Sequence, residues 1–372
     1  MLDNKLGIRL LLLTGATVPL PAPAEVLTAV SRVRVTNSDE SGDGFQMTFT
    51  MAKDKVPDYT LLNGGSLNLF NRVIIGITLG VVPEVLIDGV ITNHQIAPSS
   101  EPGMSTLTVT GKDISQMMDL EEVNDRFPNQ PDSVIVTRLL ANYLQYGLMP
   151  EVMPTTEIPL ETDRVPRQHE TDLACIRRLA LRNGFVFYIE PVTIGVNRAY
   201  WGTQVRAGAL QPALTFNMGS ATNIKSLSFA EDGLTTSSVK AGFIEPFSNT
   251  SIPLPAIPPL RVPPLSLTPT PSRRVTVLRD TANQGAAATA REMLSAVTNQ
   301  PDTVSGDGEI DTVRYGHVLR ARRLVGLRGA GISYDGQYYV KSVTHNIARG
   351  TYTQNFSVSR EGTRPLAPVV VI

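Results

Sequence analysis

The stretch from Asp335 to Gly362 constrains this chain more than any other. Asp335-Gly336 leads into Gln337 to Asn346, and a short connection closed by Gly350 leads into Thr351 to Arg360. Both runs are rich in β-branched and aromatic residues, which predicts a β-hairpin. The second run alternates cleanly. Strand side chains have a period of two, so Tyr352, Phe356 and Val358 share one face with Gln354 and Arg360. Thr351, Thr353, Asn355, Ser357 and Ser359 share the other. The first set is the candidate packed face. The second is small, hydroxyl-rich and uncharged, which is unusual for an ordinary exterior. It suits either the surface of a β-sandwich or a strand facing a wet interior channel.

Strand signals dominate the first third. Phe45, Met47, Phe49 and Met51 alternate with Gln46, Thr48 and Thr50, predicting a half-buried strand. Arg72 to Leu79 is a largely apolar β run, and Thr106 to Thr110 alternates again. Asp88-Gly89 between Val85-Leu86-Ile87 and Val90-Ile91-Thr92 predicts a tight hairpin. After Gly111 the period changes. Asp113 to Asp119 has a short helical pattern. Asp132 or Ser133 is placed to cap a helix carrying Ile135, Val136, Leu139, Leu140 and Tyr143 and ending at Gly147. Thr171-Asp172 opens a second helix with an apolar stripe of Leu173, Ile176, Leu179 and Ala180, closed by Asn183-Gly184, and Phe185 to Ile189 follows as a strand. Strand patterns return at Leu214 to Phe216 and Ile224 to Phe229. Ser251 to Pro271 is Pro-rich, and proline cannot join a sheet interior, so an extended surface connector is expected there. Thr281 to Val297 is Ala-rich and reads as a helix.

At 372 residues, two or three structural units are expected. Two β units of similar size point to an internal duplication. The formal net charge is −1, which argues against nonspecific nucleic-acid binding through bulk electrostatics. The single cysteine, Cys175, excludes an internal disulfide framework. Lys5 and Arg9 before Leu10 to Leu13 imitate a secretory leader, but prolines interrupt the apolar core, so a first strand entering a Pro-rich turn is expected instead.

The search for chemistry returns no catalytic, cofactor-binding or metal-ligating set. His94, His169, His317 and His345 lie in separate segments without metal-ligand spacing. The glycines of Gly326 to Gly331 are out of order for a dinucleotide fingerprint and precede a strand. No nucleophile elbow or phosphate-binding loop is present. Asp119, Glu121, Glu122 and Asp125 form an acidic cluster that reads as a solvated face. Arg314, Arg320, Arg322, Arg323 and Arg328 form a basic cluster that reads as salt-bridging or solvent-exposed. Trp201 fits either an interface anchor or packing.

Five ordered stretches together resemble the baseplate hub proteins of contractile phage tails, the late control protein D family, and the hub segment of the VgrG spike proteins. They are Ile87 to Asn93, Leu107 to Ser115, Arg167 to Ile189, Leu214 to Gly219 with Asn223 to Phe229, and Asp335 to Phe356. The resemblance implies a mainly β fold with an α/β insertion (α+β): two tail-tube-like β-barrel domains, the second discontinuous. Residues 1–113 would form the first barrel domain and 114–200 the α/β insertion. Residues 201–245 and 309–364 would form the second barrel, interrupted by a Pro-rich connector plus helix at 246–308.

The resemblance further implies a non-enzymatic homotrimer without cofactors, whose six similar barrels adapt a hexameric inner tube to a trimeric spike around a central channel. Its partners would be copies of itself, a spike protein, an inner tube protein, baseplate wedge or adaptor proteins, and tape-measure protein or cargo in the channel, with no specific nucleic acid. Assembly would take place in the bacterial cytoplasm, into a phage tail or injection particle. Only ten residues follow Gly362, so the spike is expected to be a separate protein. Two other readings stay open at this point: a tail-associated cell-wall hydrolase using carboxylates such as Glu121 and Glu170, and a tail tube or filament protein.

Overall fold

Strands form where apolar residues recur at every second position. The computed structural model describes residues 8–51, 60–80, 82–101, 103–159, 161, 165–245, 250–279 and 285–366. The first β unit contains β1 (Ile8–Gly15), β2 (Leu20–Pro21), β3 (Val30–Ser38), β4 (Gly44–Met51), β5 (Arg72–Leu79), β6 (Val82–Ala97) and β7 (Ser105–Asp113). Two short helices, α1 (Ala24–Ala29) and α2 (Thr60–Asn63), interrupt it. In β4 all four alternating apolar residues are buried, and they join Val33, Val35, Ile75, Ile77, Leu107 and Val109 in one core. Arg9 to Leu13, which imitate a leader, belong to β1, paired along its length with β5. Lys5 falls outside the described residues.

The tight hairpin expected at Asp88-Gly89 does not form. β6 runs through both residues, pairing with β5 up to Val90 and with β7 from Gly89 onward. Asp88 is drawn inside as the partner of Arg72, 2.6 Å away. A Cβ on Gly89 would run into the Lys112 carbonyl. The glycine therefore serves close backbone approach within a sheet, not a turn.

A 3-10 turn at Ile114–Met118 leads into the α/β insertion. It comprises β8 (Glu122–Arg126), α3 (Asp132–Ala141), β9 (Leu148–Val152), β10 (Arg167–Thr171), α4 (Asp172–Asn183), β11 (Val186–Thr193) and β12 (Val196–Gly202). Thr171 caps α4 by accepting from the Ala174 N–H at 3.2 Å, and Gly184 ends it at φ 67°. For α3 the cap position is Pro131, not Asp132 or Ser133. The Asp132 carboxylate instead accepts from Asn183 at 2.8 Å, tying α3 to the end of α4. Trp201 is a packing residue: fully buried, it donates its Nε1–H to the Ile176 carbonyl. Cys175 lies in the same core, and burial pushes its thiol up to about 12.

The chain continues through β13 (Gln211–Thr215), β14 (Ile224–Glu231), β15 (Ser237–Glu245), β16 (Thr250–Ile257), β17 (Ser266–Pro269) and β18 (Arg274–Val277). Then come α5 (Ala286–Thr298), β19 (Val304–Asp311), α6 (Thr312–Tyr315), β20 (Leu324–Arg328), β21 (Gly336–Ala348), β22 (Thr351–Arg360) and β23 (Gly362–Pro365). The expected hairpin is β21–β22, turned at Gly350 with φ 75°. Leu214, Val325, Leu327, Tyr338, Val340, Val343, Phe356 and Val358 form the core of this second β unit.

The Pro-rich stretch is more ordered than a bare connector. Its strands sit at sheet edges: β16 beside β15, and β17 beside β23. Prolines are tolerated there because an edge strand has one side without a ladder to complete. β15 pairs with β16 and β18, not with the second β unit, and Val239 and Ala241 pack on Met293 and Val297 of α5.

The fold is mainly β with an α/β insertion. Its largest sheet has thirteen strands in the path β14-β19-β22-β21-β3-β4-β7-β6-β5-β1-β2, with β20 and β13 branching from β21. Among the described residues this sheet is open, and β21–β3 is the ladder that joins the two β units.

Candidate functional site: the polar face of the central sheet

Strands such as β4, β7 and β22 bury one face, so the other must be read across strands rather than along one. On β22, Tyr352, Gln354, Phe356 and Val358 are buried, whereas Thr351 and Asn355 are exposed and Thr353 and Ser357 half-buried. Ser359 has the same parity as this second set but is buried; its hydroxyl donates to Asp302 Oδ2 at 2.6 Å. The polar face therefore stops near Ser357.

The registers carry that face sideways. Thr353 lies opposite Asn346, Asn346 opposite Arg34, Arg34 opposite Gln46, Gln46 opposite Thr110 and Thr110 opposite Asn93. A second row runs from Ser226 through Glu309, Asn355 and Thr344 to Thr36. A third joins Ser228, Asp307, Ser357 and Ser342. Since directly opposed residues share a face, eight strands present one polar surface: β14, β19, β22, β21, β3, β4, β7 and the second half of β6. Side-chain bonds cross the ladders, from Arg34 Nε to Asn346 (3.2 Å), Asn346 Nδ2 to Asn355 (2.8 Å), and between the Thr36 and Thr344 hydroxyls (3.1 Å).

The hydroxyls read on β22 belong to a larger surface whose other members the sequence had not grouped. Thr106, Thr108 and Thr110 line up against Gln46, Thr48 and Thr50. The alternation of both strands was legible, but nothing local says that their polar sides continue those of a hairpin about 240 residues later. The surface also carries charge, which the polar face of β22 lacks. Arg32, Arg34 and Lys112 lie on the first unit's half, and Asp307, Glu309 and Asp311 on β19, where Lys225 reaches Glu309 at 3.4 Å.

Both lateral ends of this surface are unpaired among the described residues. β14 pairs only with β19. β5 covers β6 only to Val90, and Phe70 and Asn71 bond Ile91, so residues 92–97 have a ladder on one side alone. Open edges are templates for pairing with another chain.

Beneath the surface the sheet is stiffened by a buried polar network. His345 Nδ1 lies 2.9 Å from the Tyr352 hydroxyl and 3.1 Å from Gln354 Nε2, and Gln354 Nε2 also donates to the Leu319 carbonyl at 3.0 Å. Burial, with the Arg320 guanidinium adding to it, pushes His345 down to about 3, so the ring is neutral. Ion pairs fasten the other units to the sheet. Arg322 meets Asp43 at 2.5 Å and stacks over the Tyr188 ring, joining both β units to the insertion. Arg206 and Arg261 converge on Asp302. Burial pushes that carboxyl up, but the two guanidiniums outweigh burial and hold it below the usual range.

The sequence-level catalytic alternatives find little geometry. Glu170 is paired with Arg178 at 2.7 Å, while Glu121 is exposed at the mouth of β8. In the basic cluster, Arg320, Arg322 and Arg323 are bound to Glu84, Asp43 and Glu190, and Arg328 donates to the Thr215 hydroxyl. Among the described residues no group of three or more His, Cys, Asp or Glu side chains could hold a metal ion. Among the described residues no helix is long and apolar enough to cross a membrane.

Solved structures share this fold. A tail protein from Neisseria meningitidis superposes over 96% of this chain and 98% of its own, with TM-score 0.61 and 14% identity. The chain has the fold of phage tail proteins. The 43 kDa tail protein of prophage MuSo2 from Shewanella oneidensis agrees, with TM-score 0.64, 13% identity and coverage of 95% and 98%. So does a type VI secretion component of E. coli, itself described as structurally similar to T4 tail proteins (TM-score 0.55, 15% identity, 90% and 76% covered). In the Francisella PdpA-VgrG complex the match takes in 97% of this chain and 54% of that one, with TM-score 0.56 and 9% identity. No protein-family model matches the sequence, and neither does any curated protein. The baseplate hub and VgrG resemblance read from the sequence is therefore carried by the phage tail fold.

Proposed function

We propose that this chain is a structural hub of a phage tail or contractile injection apparatus, working as a homotrimer around a channel. One observation carries the reading: an eight-strand polar face, drawn from two β units, that ends at an unpaired strand edge on each side. If the β14 edge of one protomer pairs with the free half of β6 in the next, three copies close a ring and no edge is left open. That ring would have six similar β units and threefold symmetry. It could therefore meet a sixfold inner tube on one side and a threefold spike on the other. Thr353, Asn355 and Ser357, with their neighbours on β4 and β7, would line the lumen. Hydroxyls and amides there would let a tape-measure protein or cargo pass without an apolar surface to hold it. Wedge or adaptor proteins would contact the outside.

In this reading the protein is not an enzyme, as the ion-paired state of Glu170 also favours. Light scattering on the purified chain should give the mass of three protomers, with the mass of the spike added when that partner is bound, and cryo-EM of the assembly a single closed ring. A chain that stays monomeric at all concentrations and never enters a threefold assembly would sink the proposal. A lytic band in a peptidoglycan zymogram would replace it with the hydrolase.

A further inference from the structure

The three-stranded sheet β16-β15-β18 plays no part in the polar face, and its two edges are built differently. β16 carries Pro253 and Pro255, which lack the N–H that an added strand would need. β18 contains no proline; it is Arg274-Val275-Thr276-Val277, and every residue in it is exposed. It runs parallel to β15, and Leu278 just beyond it donates its N–H to the Lys240 carbonyl at 2.8 Å. Backbone groups alternate sides along a strand, so Arg274 and Thr276 also face β15. Val275 and Val277 then turn their N–H and C=O groups to the other edge, which pairs with no strand among the described residues.

Side chains around that edge favour one kind of occupant. Val275 and Val277 are 50% and 56% exposed and share the sheet face that points away from α5 with Ile244 and Lys240. Arg273, Arg274 and Arg279 flank them. Among the described residues none of these three arginines, nor Lys240, forms an ion pair. That contrasts with Arg206, Arg261, Arg320, Arg322 and Arg323, which are all paired. Unneutralised arginines bracketing two β-branched residues on an unblocked edge fit an extended segment that alternates carboxylates with apolar side chains.

We propose that β18 is a docking edge that takes up an extended acidic segment of a partner protein as an added strand. Main-chain bonds to Val275 and Val277 would supply affinity, and the arginines would select acidic over neutral or basic segments. The proposal is independent of the hub reading, because it concerns a sheet that contributes nothing to the polar face.

The probe is a fluorescein-labelled octapeptide alternating Glu with Val and Thr, with a Lys-for-Glu peptide as control. Anisotropy titration of the full chain should show the acidic peptide binding at least tenfold more tightly than the basic one, with affinity falling as salt rises. Arg273→Glu/Arg279→Glu should weaken binding at least tenfold while circular dichroism stays unchanged. Val275→Pro, which removes only an outward N–H, should do the same. Equal binding of the two peptides, no measurable binding of the acidic one, or full binding by Val275→Pro would overturn the proposal. So would a loss of self-association in Val275→Pro, which would assign the edge to a second copy of the chain.

Discussion

Replacing Asp43 by alanine should be among the most damaging single changes in this protein. Both residues of the Asp43–Arg322 pair are almost wholly buried, with side chains 1% and 4% exposed. Asp43 accepts from both terminal nitrogens of Arg322 at 2.5 and 3.0 Å, from Asn37 Nδ2 at 2.9 Å and from the Ser38 N–H at 2.9 Å. Removing the carboxylate leaves a buried guanidinium whose Nε already has no partner. Breaking such a pair on one side costs about 3–5 kcal/mol, most of it the desolvation of the surviving charge. The orphaned Asn37 and Ser38 donors add about 1 kcal/mol each at the low end, since the cavity beside Ser38 and Arg322 admits water. The double variant Asp43→Ala/Arg322→Met removes both charges and lays a thioether against the Tyr188 ring, so it should recover at least half of the loss. Urea denaturation at matched protomer concentration would read both effects as shifts in midpoint at constant slope. A cost below about 1 kcal/mol for Asp43→Ala would refute the reasoning. So would a double variant no more stable than the single.

Three further outcomes are expected. Phe356→Asp places a charge in the second core and should cost several kcal/mol and abolish assembly, whereas Thr353→Ala, on the polar face, should leave assembly intact; equal behaviour in light scattering would show the face assignment to be wrong. Gly111→Val should cost about 1–3 kcal/mol or more by overpacking, because a Cβ there would strike the Phe45 ring and the Val90 carbonyl; a wild-type melting temperature would contradict this. His345 binds a proton in the unfolded chain near pH 6.5 but in the folded state only near 3. Its contribution to stability is therefore full above pH 6.5 and is lost as pH falls toward 3; His345→Gln should flatten stability between pH 6.5 and 4, and an unchanged slope in acid titration would remove histidine from the account.

Much of the fold was legible wherever one local rule dominated. Period-two alternation placed β4, β7 and β22, and the hydroxyl of Thr171 and the glycine at 184 placed both ends of α4. The errors share a cause: long-range partners overrode local signals. Asp88-Gly89 has the composition of a turn, but Arg72 pulls the aspartate inward and β7 demands the glycine. The Pro-rich stretch avoids sheet interiors as expected, yet β15 and β23 offer it edges that only the tertiary structure creates. Ser359 kept the parity of a surface residue but met Asp302, held in place by Arg206 and Arg261. The polar face was legible one strand at a time, and its extent was not, because register is a property of pairs.

The joint between the two β units explains why that register matters. One edge of β21 serves two strands: Gly336 to Tyr339 pair with β20, and Ser342 to Ala348 pair with β3. On the opposite edge the β22 ladder skips Lys341, leaving a bulge where the partner changes. A bulge bends its strand and adds twist, which lets one strand end the second unit's local sheet and continue into the first. Lys341 is also fastened from outside, its carbonyl accepting from the Asp39 N–H at 2.9 Å and its ammonium meeting Glu40 at 2.6 Å. Were the β21–β3 ladder to slip by one residue, Ser342, Thr344 and Asn346 would turn into the core, and Val343, His345 and Ile347 would turn outward. The buried His345–Tyr352–Gln354 network opposes that slip, since the contacts of His345 Nδ1 with Tyr352 and Gln354 form only when His345 lies inside. The neutral histidine beneath the sheet and the bulge at its joint thus act on one degree of freedom, the alignment that makes two β units present a single polar surface.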